Sequence, residues 1–147
     1  MPTMSTETVR DAMVPEPTTL AADASAQDAG RSFADSGEVR AIFVTEDGGR
    51  LLGVITRKTL VREVVAAGLD PRGVRLREIA EPPNFTLDAG LELEGAFRFL
   101  EEQDLERVPV VEEDGRLVGV LSRAVVQRRL AEDEPPEGEP EPGSLVL

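Results

Sequence analysis

Apolar residues recur along this chain with two spacings, and the same succession of spacings is written twice. Ala26, Ala29, Gly30, Phe33 and Ala34 repeat at three and four residues and predict a helix face, as do Leu93, Ala96, Phe97 and Leu100. After each comes a short run rich in β-branched residues, RAIFV at 40–44 and RVPVV at 107–111, that reads as a strand. The turns TEDGG and EEDG follow, where Asp-Gly supplies the positive φ of a tight turn, and LLGVI or LVGVL closes a hairpin. A second helix is predicted after Thr56, with Leu60, Val61, Val64 and Val65 apolar, and after Ser122, with Val125, Val126 and Leu130 apolar. Short extended pieces at 18–20 and 85–87 precede the first helices, each behind a Pro-containing stretch that disfavours helix. Asp23 or Ser25, and Asp88, are the expected N-caps.

The unit is therefore β-α-β-β-α, and its duplication is visible in the letters. GRLLGVITRKTLVREV at 49–64 matches GRLVGVLSRAVVQRRL at 115–130, with seven of sixteen positions identical. VRDAM at 9–13 aligns with LREIA at 76–80. The predicted fold class is α+β, with a first unit over 8–68, a linker over 69–74 and a second unit over 75–130. Residues 131–147, dense in Pro, Glu and Gly, are expected to form an acidic disordered tail.

Composition removes several functions. The net charge is −13, with 29 acidic against 16 basic residues, and the only aromatic residues are five Phe. An acidic surface repels a phosphate backbone, and base-stacking platforms are scarce, so no nucleic-acid partner is expected. His and Cys are absent, which removes disulfides, imidazole and thiolate metal ligands and the commonest general base, so no catalytic residue and no metal site is assigned. No apolar run is long enough to span a bilayer and no export signal is recognised, so the expected location is cytoplasmic with no membrane partner. The acids Glu112, Glu113 and Asp114 read as a solvated turn.

The remaining chemistry lies at the two strand-to-helix junctions. Thr56 and Ser122 sit where N-caps belong, so the following turns present free N–H groups to an anion. Order, spacing and duplication together make the chain resemble a stand-alone pair of CBS domains, the module named after cystathionine beta-synthase. The resemblance covers both units and implies a pseudo-twofold pair packed through its sheets, with two clefts between them. It further implies a regulatory module that binds an adenosine-containing ligand (AMP, ADP, ATP, S-adenosylmethionine or NAD), forms a flat homodimer and signals to a separate partner protein. The family's ribose signature runs glycine, two apolar residues, Thr or Ser, two variable residues, then Asp. The chain keeps Gly53 and Thr56, and Gly119 and Ser122, but has Thr59 and Val125 where the Asp belongs. A ligand-free interaction module is therefore the competing expectation.

Carried onto this sequence, the first cleft is expected around Thr56, Lys58 and Thr59, with Ile42 and Phe43 as its wall and Met13, Val14 and Thr18 from the leading segment. The second is expected around Ser122, with Arg107, Val108 and Pro109 as wall and Ala80, Glu81 and Thr86 leading in. Lys58 either meets a phosphate or stands in solvent, and Arg107 either meets a phosphate or pairs with Glu106. Arg57 and Arg123, identical between copies, are expected to bridge units or subunits, because an Arg in a first helical turn opposes its own helix dipole.

Overall fold

The structure, a computed structural model, describes residues 7–133. Each unit carries one sheet with helices against it, and the two sheets face each other about a pseudo-twofold axis. In the first unit, β2 (Thr19–Ala21) runs parallel to β3 (Ile42–Thr45), which pairs antiparallel with β4 (Leu51–Ile55). In the second, β5 (Leu87–Asp88) runs parallel to β6 (Arg107–Val111), which pairs antiparallel with β7 (Leu117–Ser122). Both hairpins shift register at the same place, between Val44 and Thr45 and between Val110 and Val111, and the turn glycines Gly48, Gly49 and Gly115 take φ near +81°, +87° and +88°. The helices α2 (Ala26–Asp35) and α5 (Leu93–Glu102) bury Ala26, Ala29 and Phe33, and Leu93, Ala96 and Leu100, as their spacing predicts. Ser25 caps α2 in a reciprocal box with Asp28. Asp88 caps nothing: α5 begins five residues later, and the Asp88 carboxylate instead accepts from the Gly90 N–H.

Two short helices that apolar spacing does not reveal, α1 (Val9–Ala12) and α4 (Leu76–Ile79), are exchanged between the units. Val9 and Ala12 join Leu87, Leu100, Val108, Leu121 and Val126 in the second core, while Leu76 joins Phe33, Ile42, Val44 and Ile55 in the first. The segments that follow also cross. The strand β1 (Val14–Pro15) adds to β7 with Val14 opposite Val120, and Glu81 pairs with Val54 on β4. The exchange needs the two signature glycines. A β-carbon on Gly53 would stand 2.8 Å from the Glu81 carbonyl oxygen, and one on Gly119 would stand 2.6 Å from the Met13 sulfur.

The last helix of the first unit departs from expectation. α3 (Arg57–Leu60) passes into a π turn (Val61–Val65), in which the Ala66 N–H donates to the Val61 carbonyl at 2.8 Å. The wider turn rotates the apolar stripe. Val64 stays buried, whereas Val61 and Val65 are 57% and 71% exposed rather than in the core. Its counterpart α6 (Arg123–Asp133) is a regular α-helix that continues three residues past Leu130. The expected acidic tail otherwise lies outside the described residues.

Candidate functional site

A cavity of about 680 Å³ lies between the units, within the usual range for small-molecule sites. Both sheets and both crossing segments line it. Val14, Glu16, Pro17 and Thr18 come from the first segment, and Glu81, Pro82, Pro83, Asn84 and Phe85 from the second. Phe43 and Val54 face it from the first sheet; Arg107, Val108, Pro109, Val120 and Ser122 face it from the second, with Val125 on the first turn of α6.

Of the residues singled out in the sequence for the two clefts, the cavity gathers Val14, Thr18, Phe43, Glu81, Arg107, Val108, Pro109 and Ser122. Val14 does not accompany the Thr56 junction; pairing with β7 carries it to the Ser122 side, while Thr18 stays beside Phe43 through a 3.0 Å bond from the Phe43 N–H. The others lie off the lining. Ile42 is fully buried in the first core, Ala80 packs against that core, Met13 lies against Gly119, and Thr86 is exposed.

The two strand-to-helix junctions differ. At Ser122 the hydroxyl accepts from the Val125 N–H at 3.4 Å and the junction opens into the cavity. At Thr56 a capping box closes on itself: the Thr59 N–H donates to the Thr56 hydroxyl at 3.2 Å, and the Thr56 N–H donates to the Thr59 hydroxyl at 3.1 Å. Thr59 is 1% exposed, and its hydroxyl donates to the Glu81 carboxylate at 3.5 Å. Arg62 pairs with that same carboxylate. An acid of the second unit thus occupies the ground in front of the first junction, where an anionic ligand would have to stand. Lys58 is exposed and off the lining.

Two arginines line the cavity together with three acids, Glu16, Glu38 and Glu81. Arg107 does not pair with Glu106, because Glu106 is taken by Arg123 at 2.6 Å. Arg40, in the connection from α2 to β3, also lines the cavity, and neither Arg40 nor Arg107 has a side-chain partner among the described residues. Sequence reasoning missed Arg40, Glu16 and Phe85. In the register shared by the two hairpins Arg107 is equivalent to Ala41 and Arg40 to Glu106, so the repeat held no signal for Arg40. Phe85 is steadied by an edge-on contact with Phe99, with ring centroids 5.3 Å apart.

Neither Arg57 nor Arg123 bridges the two units. Arg57 donates to the carbonyls of Val39 and Phe33 at 2.7 and 3.1 Å and lies 4.8 Å from the Phe33 ring centroid. Arg123 pairs with Asp104 and Glu106, beyond the end of α5. Each therefore ties down the C-terminal end of its own unit's first helix, where a cation is favoured; this outweighs the cost of opposing its own dipole.

Comparison with known proteins accords with this geometry. The CBS domain family matches residues 9–66 and 76–132. Hypoxic response protein 1 of Mycobacterium tuberculosis is 34% identical over 95 residues, 65% of this chain and 66% of that protein. Its crystal structure, described with two coordinated zinc ions, superposes with a TM-score of 0.70 at 29% identity, covering 84% of this chain and 98% of that one. This sequence has neither His nor Cys, and no group of three acids among the described residues is arranged to hold a metal. CBSX2 of Arabidopsis thaliana in complex with AMP gives a TM-score of 0.66 at 26% identity, covering 85% of this chain and 96% of that one. The cytosolic domain of the Mg2+ channel MgtE in complex with ATP gives 0.64 at 26% identity, covering 80% and 46%. No described helix is long and apolar enough to cross a membrane. Two matched copies, their exchanged segments and the cleft between their sheets make this chain a member of the CBS domain family, built as a tandem pair.

Proposed function

We propose that this protein is a regulatory sensor that takes an adenosine nucleotide, or a related anionic ligand, in the central cavity and reports occupancy to a separate partner protein. The observation that carries this is the conjunction of the open Ser122 junction with Arg107 on the second sheet and Arg40 on the first unit's side of the cavity, neither with a side-chain partner among the described residues. Unpaired guanidinium groups beside a helix N-terminus suit a phosphate. Phe43 and Phe85 offer apolar faces for a base. AMP in CBSX2 and ATP in MgtE are precedents in similar folds. On this reading Lys58 stays outside the site, and the first junction holds no ligand because Glu81 and Arg62 fill it.

The test is thermal unfolding followed by an extrinsic dye or circular dichroism, since the chain has no Trp or Tyr. AMP, ADP, ATP, S-adenosylmethionine, NAD and plain phosphate are the probes. A ligand at about 100 times its Kd adds ~2.7 kcal/mol and shifts Tm by several degrees. The expected shift is saturable, is lost in Arg107→Ala and survives in Lys58→Ala. No shift with any probe would leave the second reading.

That second reading, an interaction module, has one observation in its favour. An apolar groove of about 380 Å³ runs between α2 and the π turn, lined by Gly30, Ala34, Leu60, Val64, Val65 and Leu69. The equivalent positions of Val61 and Val65 on α6 are Gln127 and Ala131, so the fold does not require this apolar face. It suits a homodimer formed through the first units. Sedimentation velocity on wild type and Val65→Asp decides: dimer against monomer is the expected result.

A further inference from the structure

The cavity contains a strained acid that no ligand-free role explains. Glu16 has φ of +56°, one of two non-glycine residues with positive φ among those described. The other, Asp104, follows the end of α5, where a left-handed residue commonly stops a helix. Glu16 ends no helix. It precedes Pro17, a position that steric conflict drives toward extended backbone, so its left-handed conformation is opposed twice.

The duplicated fold supplies the control. Val14 and Glu81 occupy equivalent places on β7 and β4, so the equivalent of Glu16 is Pro83. The proline ring holds φ near −65°. The same crossing is thus built in the other copy without positive φ, and the strain at Glu16 is not a demand of the fold. Local strain of this kind concentrates where a side chain must be aimed. Glu16 lines the cavity, is exposed and has no side-chain partner among the described residues.

Resting on the nucleotide reading above, we propose that Glu16 selects the base, its carboxylate accepting from the exocyclic amino group of an aminopurine. Position along the sheet supports this. Arg107 and Ser122 stand opposite each other at one end of the β6–β7 ladder and form the anion end of the cavity. Pro15 lies opposite Gly119, three residues further along β7, about 10 Å at ~3.4 Å per residue. Glu16 follows, and two residues later Thr18 joins the Phe43 backbone. A mononucleotide with its phosphate at Arg107 then lays its base toward Phe43 and Glu16. An amino group donates to a carboxylate; a 6-oxo group in its place opposes it, oxygen against oxygen.

The experiment is calorimetric titration of the full chain with AMP and with IMP, which differ at that substituent, together with a thermal melt of each variant. A hydrogen bond to a charged acceptor corresponds to a preference for AMP of about ten- to a hundredfold in wild type. Glu16→Gln and Glu16→Gly should bring the two nucleotides to equal affinity, and Glu16→Gly, freed of the strain, should melt at or above the wild-type Tm. Equal binding of AMP and IMP by wild type, an AMP preference that survives in both variants, or a lowered Tm in Glu16→Gly overturns the assignment of Glu16 while leaving the cavity reading intact. Saturable binding of neither nucleotide overturns the cavity reading, and this assignment with it.

Discussion

Gly53 and Glu81 lie backbone against backbone: the Val54 N–H donates to the Glu81 carbonyl at 2.8 Å, and a β-carbon on Gly53 would stand 2.8 Å from that same oxygen. The glycine of the family's signature serves here to let the other unit's segment pass. Gly53→Ala should therefore cost about 1–3 kcal/mol. Gly119→Ala should cost less, because its closest obstacle is the far end of the flexible Met13 side chain, although the Val14 carbonyl at 2.8 Å also has to yield. Chemical denaturation of both variants measures the order.

Arg57 and Arg123 occupy equivalent places with unequal partners. Arg57 bonds uncharged carbonyls and stacks on Phe33, so Arg57→Ala should lose about 1.5 kcal/mol at any ionic strength, and Arg57→Lys should recover little of it because the planar fork is gone. Arg123 pairs with the exposed acids Asp104 and Glu106, so the smaller loss in Arg123→Ala should shrink further in high salt. Denaturant midpoints at two salt concentrations distinguish the two.

Restoring the family's acid in the first unit should fail. Thr59→Asp would put a second carboxylate beside Glu81 in a nearly sealed place. The variant should be destabilised, and adding Glu81→Gln should rescue it, with a coupling of about 0.5–3 kcal/mol in a double-mutant cycle. Additive effects would remove Glu81 from the first junction.

Arg10, on α1, reaches the second unit's hairpin turn and pairs with Glu112 at 2.7 Å. The side-chain hydrogen bond from Arg10 holds the Glu112 carboxyl below its ordinary value of 4.5. A depressed native value means stability that is fully present above about pH 4.5 and is lost as pH falls through the lower native value. Arg10→Ala should lower the neutral plateau of a pH–stability curve and leave stability well below the native titration nearly unchanged, so that the acid limb flattens.

Strands, hairpins and the longer helices were legible because their periodicity and turn residues are local and occur twice. The exchange of α1 and α4 was not, because four-residue helices such as VRDA and LREI carry too little periodicity, and because a repeat alignment shows which residues are equivalent but not which copy they pack against. The same gap explains the site. Thr56 and Ser122 look interchangeable in the sequence; that one junction is filled and the other open depends on Glu81, an acid of the opposite unit, crossing to β4. The π turn was hidden for a different reason, since VREVV fits an α-helical stripe equally well.

The first crossing segment is fastened to β7 at Val14 and Pro15 and to β3 from Thr19 onward. With the Thr18 carbonyl held by the Phe43 N–H, only Glu16 and Pro17 lie between these anchorages, and both line the cavity. They form a strut held at both ends. Any rotation of one sheet relative to the other has to change the pitch of those two residues, so the short link that holds the sheets together is also a wall of the space between them.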